Sequence, residues 1–298
     1  MKFKKIDGFV IPENAVVKLY HTGNIKKVQY LQRRNNTAPI RKIDDNHVLN
    51  IITGEIIECK HIENRSENIA KVKESLTRLR DYINTNCVDV SRCRWVTLTY
   101  KENMTDTVRL YSDFKNFWKR FVYYCNQNNY GKPEYIIACE PQGRGAWHIH
   151  AIIIFDRKAP FIASDVLQGI WKQGFVKIKK IDNVDNVGAY LTAYMCDLQV
   201  EKYDNSCICN GIKTVEKNGH TKQYVKGARL SLYPPKFNIY RCSRGIKKPD
   251  TEFLSYSYAK EKVSSAKLTF SKSVLLSDDD TGFTTTVSTE YYNTARRK

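Results

Sequence analysis

The segment Trp147-His148-Ile149-His150-Ala151-Ile152-Ile153-Ile154-Phe155 starts with an alternation and ends in a β-branched run, which predicts a strand. Before it, Tyr135-Ile136-Ile137-Ala138-Cys139-Glu140 reads as a second strand, and Gly143-Arg144-Gly145 as the turn that joins the two into a hairpin. Upstream, Arg94-Trp95-Val96-Thr97-Leu98-Thr99-Tyr100 alternates as a strand. Phe114, Phe117, Trp118 and Phe121 then mark one side of a helix over 110–126. Downstream come a short helix over 164–171, a strand over 174–181 and a helix over 186–200. Ile69, Val72, Leu76, Leu79 and Ile83, spaced three or four apart behind a Ser66 cap, predict an amphipathic helix with a basic face. This order predicts an α+β sandwich with helices packed on an antiparallel sheet.

The flanks carry weaker patterns. The first sixty residues hold short β-like runs such as Val16-Val17-Lys18-Leu19 and Ile51-Ile52, and no chemistry is assigned to them. Lys267-Leu268-Thr269-Phe270, the acidic Asp278-Asp279-Asp280 and Phe283-Thr284-Thr285-Thr286-Val287 read as a C-terminal hairpin. The expected division is an N-terminal extension over 1–90, a central domain over 91–200 and a basic C-terminal region over 201–298.

His148 and His150 project from one face of their strand, two residue rises apart, a reach that suits one metal ion. Glu140, at the end of the neighbouring strand, offers an oxygen ligand. Two imidazoles and a carboxylate would leave coordination positions open for a phosphate oxygen and water. The competing reading is a pair of core histidines, which would need two buried hydrogen-bond partners. Further along, Tyr190-Leu191-Thr192-Ala193-Tyr194 puts two phenols at i and i+4, on one helix face. Such a pair is usually packing. Beside a metal site, a phenolate is a competent nucleophile toward a phosphodiester, and the product is a covalent phosphotyrosine.

Composition narrows the class. Lys and Arg number 49 against 31 Asp and Glu in 298 residues, a formal net charge of +18. A field of that sign concentrates polyanions, of which nucleic acid is the commonest, with an anionic membrane surface as the weaker reading. No run of about 18 apolar residues occurs, and MKFKKIDGFV lacks the apolar stretch of a signal peptide, so no membrane role is expected. Between Lys213 and Lys248 ten Lys or Arg face one acid, Glu216, and Tyr224, Tyr233, Phe237 and Tyr240 are interleaved with them. Lys222, Lys226, Arg229, Lys236, Arg241 and Arg244 are therefore the expected nucleic-acid contacts, with base stacking on the aromatics. Nine cysteines without repeated CxxC spacing predict free thiols in a reducing cytoplasm. Cys207-Ile208-Cys209 near His220 is a weak half of a zinc site, and His220 itself reads as surface.

Taken together, Trp95-Val96-Thr97-Leu98-Thr99-Tyr100, Glu140 with His148-Ile149-His150, and Tyr190-Leu191-Thr192-Ala193-Tyr194 resemble the three motifs of HUH endonucleases. Within that superfamily the likeness is to the rolling-circle replication initiators of phages, plasmids and integrative elements. It covers about 95–200. It implies a ferredoxin-like sandwich with a central antiparallel sheet and N- and C-terminal extensions. It also implies Mg2+ or Mn2+ held by His148, His150 and Glu140, and a nucleophile at Tyr190 or Tyr194, with Tyr190 preferred because it lies nearer the helix start. The tyrosine follows the histidine motif, as in initiators and unlike relaxases. Family motifs often carry a lysine three residues after the nucleophile; this chain has Ala193 and Asp197 there.

The implied activity is site-specific nicking and joining of single-stranded or cruciform origin DNA through a 5′-phosphotyrosine, leaving a 3′ hydroxyl as primer. The setting would be the cytoplasm of a bacterial host. No GxxxxGK[ST] sequence is present, so unwinding and synthesis would fall to a separate host helicase and polymerase. The alternatives are a single-strand transposase of the same superfamily, a non-catalytic DNA-binding regulator with a structural metal, and an RNA-binding sheet platform.

Overall fold

The computed structural model describes residues 2–34, 40–59, 69–142, 144–181, 186–192, 198–200, 212–217, 220–225, 232–279 and 281–296. In chain order its elements are β1 (Lys2–Ile6), β2 (Val16–Thr22), β3 (Ile25–Leu31), β4 (Ile40–Lys42), β5 (His47–Asn50), β6 (Ile56–Glu58), α1 (Ile69–Asn86), β7 (Cys93–Thr99) and α2 (Thr107–Gln127). There follow β8 (Glu134–Pro141), β9 (Trp147–Ile154), α3 (Ser164–Trp171), β10 (Val176–Lys180), α4 (Val187–Thr192), β11 (Leu198–Val200), β12 (Ile212–Lys217), β13 (His220–Val225) and β14 (Tyr240–Cys242). The chain closes with β15 (Asp250–Ser255), α5 (Tyr256–Lys262), β16 (Lys267–Asp278) and β17 (Phe283–Asn293).

These elements form two compact units, one of residues 1–62 with 249–298 and one of residues 63–248. Pairing between the chain ends sets this division, which falls elsewhere than at residues 90 and 200. β3 pairs with β17 and β2 with β15, so both termini share one sheet, ordered β1-β16-β17-β3-β2-β15. Its core is Val17, Leu19, Val28, Tyr30 and Tyr292 against Ala259 and Val263 of α5. The short sheet β4-β5-β6 belongs to the same unit. The helix α1 belongs to the other.

In the unit of 63–248, β7, α2, β8, β9, α3 and β10 follow as β-α-β-β-α-β, and the antiparallel sheet is ordered β10-β7-β9-β8-β14. The pleat sorts its residues by face. Val96 and Leu98 of β7, with Ile149, Ala151 and Ile153 of β9, meet Phe114, Phe117 and Phe121 of α2 and Leu167 and Trp171 of α3. Burial of each such side chain contributes about 1.5–3 kcal/mol, enough to make this face the thermodynamic centre of the unit. On the other face Ile136, Ala138, Ile152 and Ile154 are covered by Leu79, Ile83 and Cys87 of α1 and by Val187 of α4. The sheet therefore has helices on both sides.

Local chemistry explains the boundaries. Asp106 caps α2, its carboxylate accepting from the backbone N–H of Val108 at 2.7 Å and of Arg109 at 3.2 Å, so the helix starts three residues before the expected Leu110. Gly174 lets β10 enter beside β7, because a Cβ there would strike the Thr99 carbonyl. Two expectations fail. Ile51-Ile52 is a turn between β5 and β6, where the Asn50 side chain accepts from the N–H of Ile52 at 3.0 Å and Gly54 takes φ 74°. The helix expected to run to Val200 ends at Thr192, because Leu198–Val200 pairs antiparallel with β13 instead. The C-terminal hairpin forms as expected, β16 against β17 with Asp278 opposite Phe283.

Candidate active site

The β8–β9 hairpin builds the site. Its turn closes through the N–H of Gly145 bonding the Gln142 carbonyl at 2.8 Å, with Gly145 at φ 84°, a conformation that a side chain would strain. The resulting register puts Glu140 directly across from His148, and Ala138 across from His150. On the other side of β9, Thr99 faces His148 and Thr97 faces His150. Glu140, His148, His150, Thr97 and Thr99 thus occupy one face of the sheet, the one that carries α1. The opposite positions of β9, Trp147 and Ile149, are buried in the main core.

The side chains are ordered by hydrogen bonds. His150 donates from Nε2 to Oε2 of Glu140, and the Thr97 hydroxyl lies 3.3 Å from its Nδ1. The edge of the Trp95 ring packs on the imidazole, with centroids 6.0 Å apart. His148 Nδ1 lies 3.4 Å from the side-chain amide of Gln142, whereas its Nε2 is buried with no hydrogen-bond partner. Burial pushes the pKa of both histidines down to about 4, helped at His148 by His150 and Arg144. Both rings are therefore neutral at pH 7, the state in which imidazole binds metal. Glu140 is only 6% exposed.

The donor set suits a divalent cation: two neutral imidazoles, one with an orphaned buried nitrogen, beside a buried carboxylate on the same face. As the side chains stand, no three His, Cys, Asp or Glu among the described residues converge as a metal site. The Glu140–His150 hydrogen bond holds two of the donors on each other instead.

Tyr190 belongs to α4, and α4 is docked on α1 by Asn84. The buried Asn84 accepts the Gly188 N–H at 2.8 Å and donates to Asn186 Oδ1 at 3.0 Å, and Asn186 accepts the N–H of Ala189. Gly188 has no room for a side chain, since a Cβ would meet the Arg80 carbonyl. The second tyrosine, Tyr194, lies outside the described residues, as do Lys226, Arg229, Cys207 and Cys209.

The remaining basic positions are spread out. Lys222 is on β13 of the small sheet β11-β13-β12, and His220 opens the same strand opposite Lys217. Lys236 and Arg244 are exposed. Arg241 pairs across from Ile137, which puts it on the α2 side of the sheet, away from the histidines; its guanidinium lies 3.4 Å from the Tyr111 ring centroid. The aromatics expected to stack on bases are structural: Tyr233 and Phe237 are buried, Phe237 stacks on Trp147 at 4.6 Å, and Tyr233 donates to the Cys139 carbonyl at 2.9 Å. Tyr240 packs on Tyr82 at 6.1 Å. Their interleaving with lysines hid a core that only the tertiary fold assembles.

Sequence reasoning did not find Thr97, Gln142 and Asn84, which carry no signal beyond being polar residues in elements otherwise read as packing. It also missed the edge strand. Lys177 pairs with Thr97, Lys179 with Trp95, and the Phe175 carbonyl accepts the Thr99 N–H at 2.9 Å. Phe175, Lys177 and Lys179 are all exposed on the histidine face, whereas Val176 and Ile178 turn toward the core under α2 and α3. The alternation of Phe175-Val176-Lys177-Ile178-Lys179 was visible; its position beside the histidines was not.

Cys59, Cys87, Cys93, Cys125, Cys139 and Cys242 are free thiols. Among the described residues no helix is long and apolar enough to cross a membrane.

No curated protein and no solved structure matches the chain. Residues 93–199 match the model of the replication-associated protein ORF2 family. That segment runs from the first residue of β7 into β11 and contains both histidines, Glu140 and both tyrosines, and the match supports a replication-related role for the chain.

Proposed function

We propose that the chain is a rolling-circle replication initiator of the HUH endonuclease superfamily, which nicks and rejoins single-stranded or cruciform origin DNA. The observation that carries this reading is the shared face of Glu140, His148 and His150, with the His148 Nε2 buried and unpartnered. The β-α-β-β-α-β order, with sheet order β10-β7-β9-β8, supports a ferredoxin-like centre.

His148, His150 and Glu140 would hold Mg2+ or Mn2+, which when bound supplies Lewis-acid polarisation of a phosphodiester. The chain's own residues do the rest. Glu140 contributes the negative charge that balances a cation in a half-buried site. Thr97 and Gln142 orient the two rings. The exposed Lys177 and Lys179 offer phosphate contacts along β10, and Phe175 offers a ring to an unpaired base.

Tyr190, or Tyr194, supplies the nucleophile. Its phenol oxygen bonds to phosphorus as the bond from phosphorus to the 3′ oxygen breaks; the phenol proton passes to solvent and the departing oxygen takes one up. The 5′ phosphate stays on the enzyme and the free 3′ hydroxyl primes synthesis by a host polymerase, with a host helicase unwinding ahead. The free thiols agree with a bacterial cytoplasm.

The test is cleavage of end-labelled single-stranded DNA from the protein's own replicon. Cleavage that needs Mn2+, stops in EDTA and disappears in His148→Ala and His150→Ala supports the proposal. Binding without cleavage under every metal condition favours the regulator reading, for which the satisfied Glu140–His150 hydrogen bond is the specific observation.

A further inference from the structure

The six-stranded sheet of the unit 1–62 with 249–298 sorts its charges by face. Toward α5 it turns its carboxylates: Glu290 accepts from the hydroxyls of Tyr256 at 3.0 Å and Tyr292 at 2.6 Å, and Glu252 pairs with Lys262 at 2.5 Å and His21 at 2.5 Å. On the outer face of β2, β3, β15, β16 and β17, the paired positions carry an acid only at Asp278, at the tip of the β16–β17 hairpin. Along one row Phe253 faces Lys18, and further along that row Lys272 faces Thr289. Along the next, Tyr20 faces Lys27, Lys27 faces Tyr291 and Tyr291 faces Phe270.

The rings and cations of this face are already arranged. Lys27 Nζ sits 3.8 Å from the Tyr20 centroid, and Lys18 Nζ lies 4.8 Å from Tyr20 and 5.4 Å from Phe253. At either end an aromatic stands in water, Phe253 at 62% exposure and Phe270 at 52%. A solvated structural face has no use for two exposed phenylalanines, whose burial is worth far more than their exposure. Four strand spacings separate them, about 19 Å. Exposed rings flanking a lysine strip, with Glu252 and Glu290 on the reverse side, fit a chain of unpaired bases on a phosphate backbone. Duplex DNA, whose bases are stacked inside, gains nothing from the rings.

We infer that this outer face is a second nucleic-acid site, a platform for single-stranded nucleic acid carried by Phe253 and Phe270 with Lys18 and Lys272. It is separate from the histidine sheet and does not depend on the nicking proposal.

The experiment is fluorescence anisotropy of labelled oligothymidylate with the full-length chain in EDTA, where no cleavage step enters. Phe253→Ala and Phe270→Ala should each weaken binding about fivefold or more, and the double variant more than either. Phe253→Trp and Phe270→Trp should bind as the wild type does, and an unchanged unfolding midpoint shows that the alanine variants fold. Double-variant binding equal to that of wild type would overturn the inference. So would a wild-type preference for duplex over single strand, or no binding of oligothymidylate at all. Loss of nicking in histidine-site variants leaves this readout unmoved, so the two proposals fail separately.

Discussion

Glu140 stands directly across the β8–β9 ladder from His148, yet its carboxylate is hydrogen-bonded to His150, two residues further along β9. The diagonal contact leaves His148 Nε2 buried and unpartnered. A buried polar atom without a partner costs about 1–3 kcal/mol, and a strand that wanted only packing would have used Val or Ile at both positions. Part of the stability of the sheet has therefore been exchanged for an arrangement of donors.

That arrangement has a pH signature. Both histidines are held near a pKa of about 4 by burial, against an ordinary 6.5. Between these values the unfolded chain binds protons that the folded chain refuses, so stability falls as pH drops through that window and is flat above pH 7. In EDTA the urea midpoint should decrease steadily from pH 7 to pH 5, and His148→Gln should flatten the slope. A midpoint unchanged over this range would contradict the buried, neutral pair.

Thr97 touches no proposed ligand position except through His150. Removing its hydroxyl in Thr97→Val frees the ring to rotate, and the affinity for Mn2+ should fall about tenfold while the unfolding midpoint barely moves. Calorimetric titration of the metal reads the effect. An unchanged dissociation constant would mean that Thr97 does not orient the ring.

Gly188→Ala forces a methyl group against the Arg80 carbonyl at the α1–α4 contact. The variant should displace α4, and with it Tyr190, while leaving the histidine face intact. DNA cleavage should drop by at least tenfold with Mn2+ binding retained, and Asn84→Ala, which removes two buried hydrogen bonds, should act alike and cost about 1–3 kcal/mol. Full cleavage in both variants would separate Tyr190 from the chemistry.

Phe237 and Arg244 lie a few residues apart in the basic segment and play opposite parts. Phe237→Ala opens a cavity beside Trp147 and should cost about 3–5 kcal/mol in urea denaturation. Arg244→Ala, at an exposed position, should leave stability unchanged and lower only the salt-dependent part of DNA affinity.

How much of this was legible depended on whether the pattern was local. The β8–β9 hairpin, α2, α3 and β7 announce themselves through alternation or three-to-four spacing, and so does the single face shared by His148 and His150. Glu140 was found because a hairpin brings its two strands together by the shortest route. The division into units was not legible, because Leu31 and Val287, or Leu19 and Glu252, meet only through pairing across more than two hundred residues. The same holds for Leu198–Val200, a helix by continuity and a strand by its partner Val225. Tyr233 and Phe237 misled for a related reason: an aromatic between lysines looks the same in sequence whether it meets a base or Trp147.

The most direct test of the central claim is a denaturing gel of the protein after incubation with labelled single-stranded DNA and Mn2+. Wild type, Tyr190→Phe, Tyr194→Phe and the double variant would be run side by side. The account predicts a protein–DNA adduct that survives denaturation, requires metal and is lost on removal of the nucleophilic tyrosine. An adduct retained in the double variant, or none from wild-type protein that demonstrably binds the DNA, would contradict it.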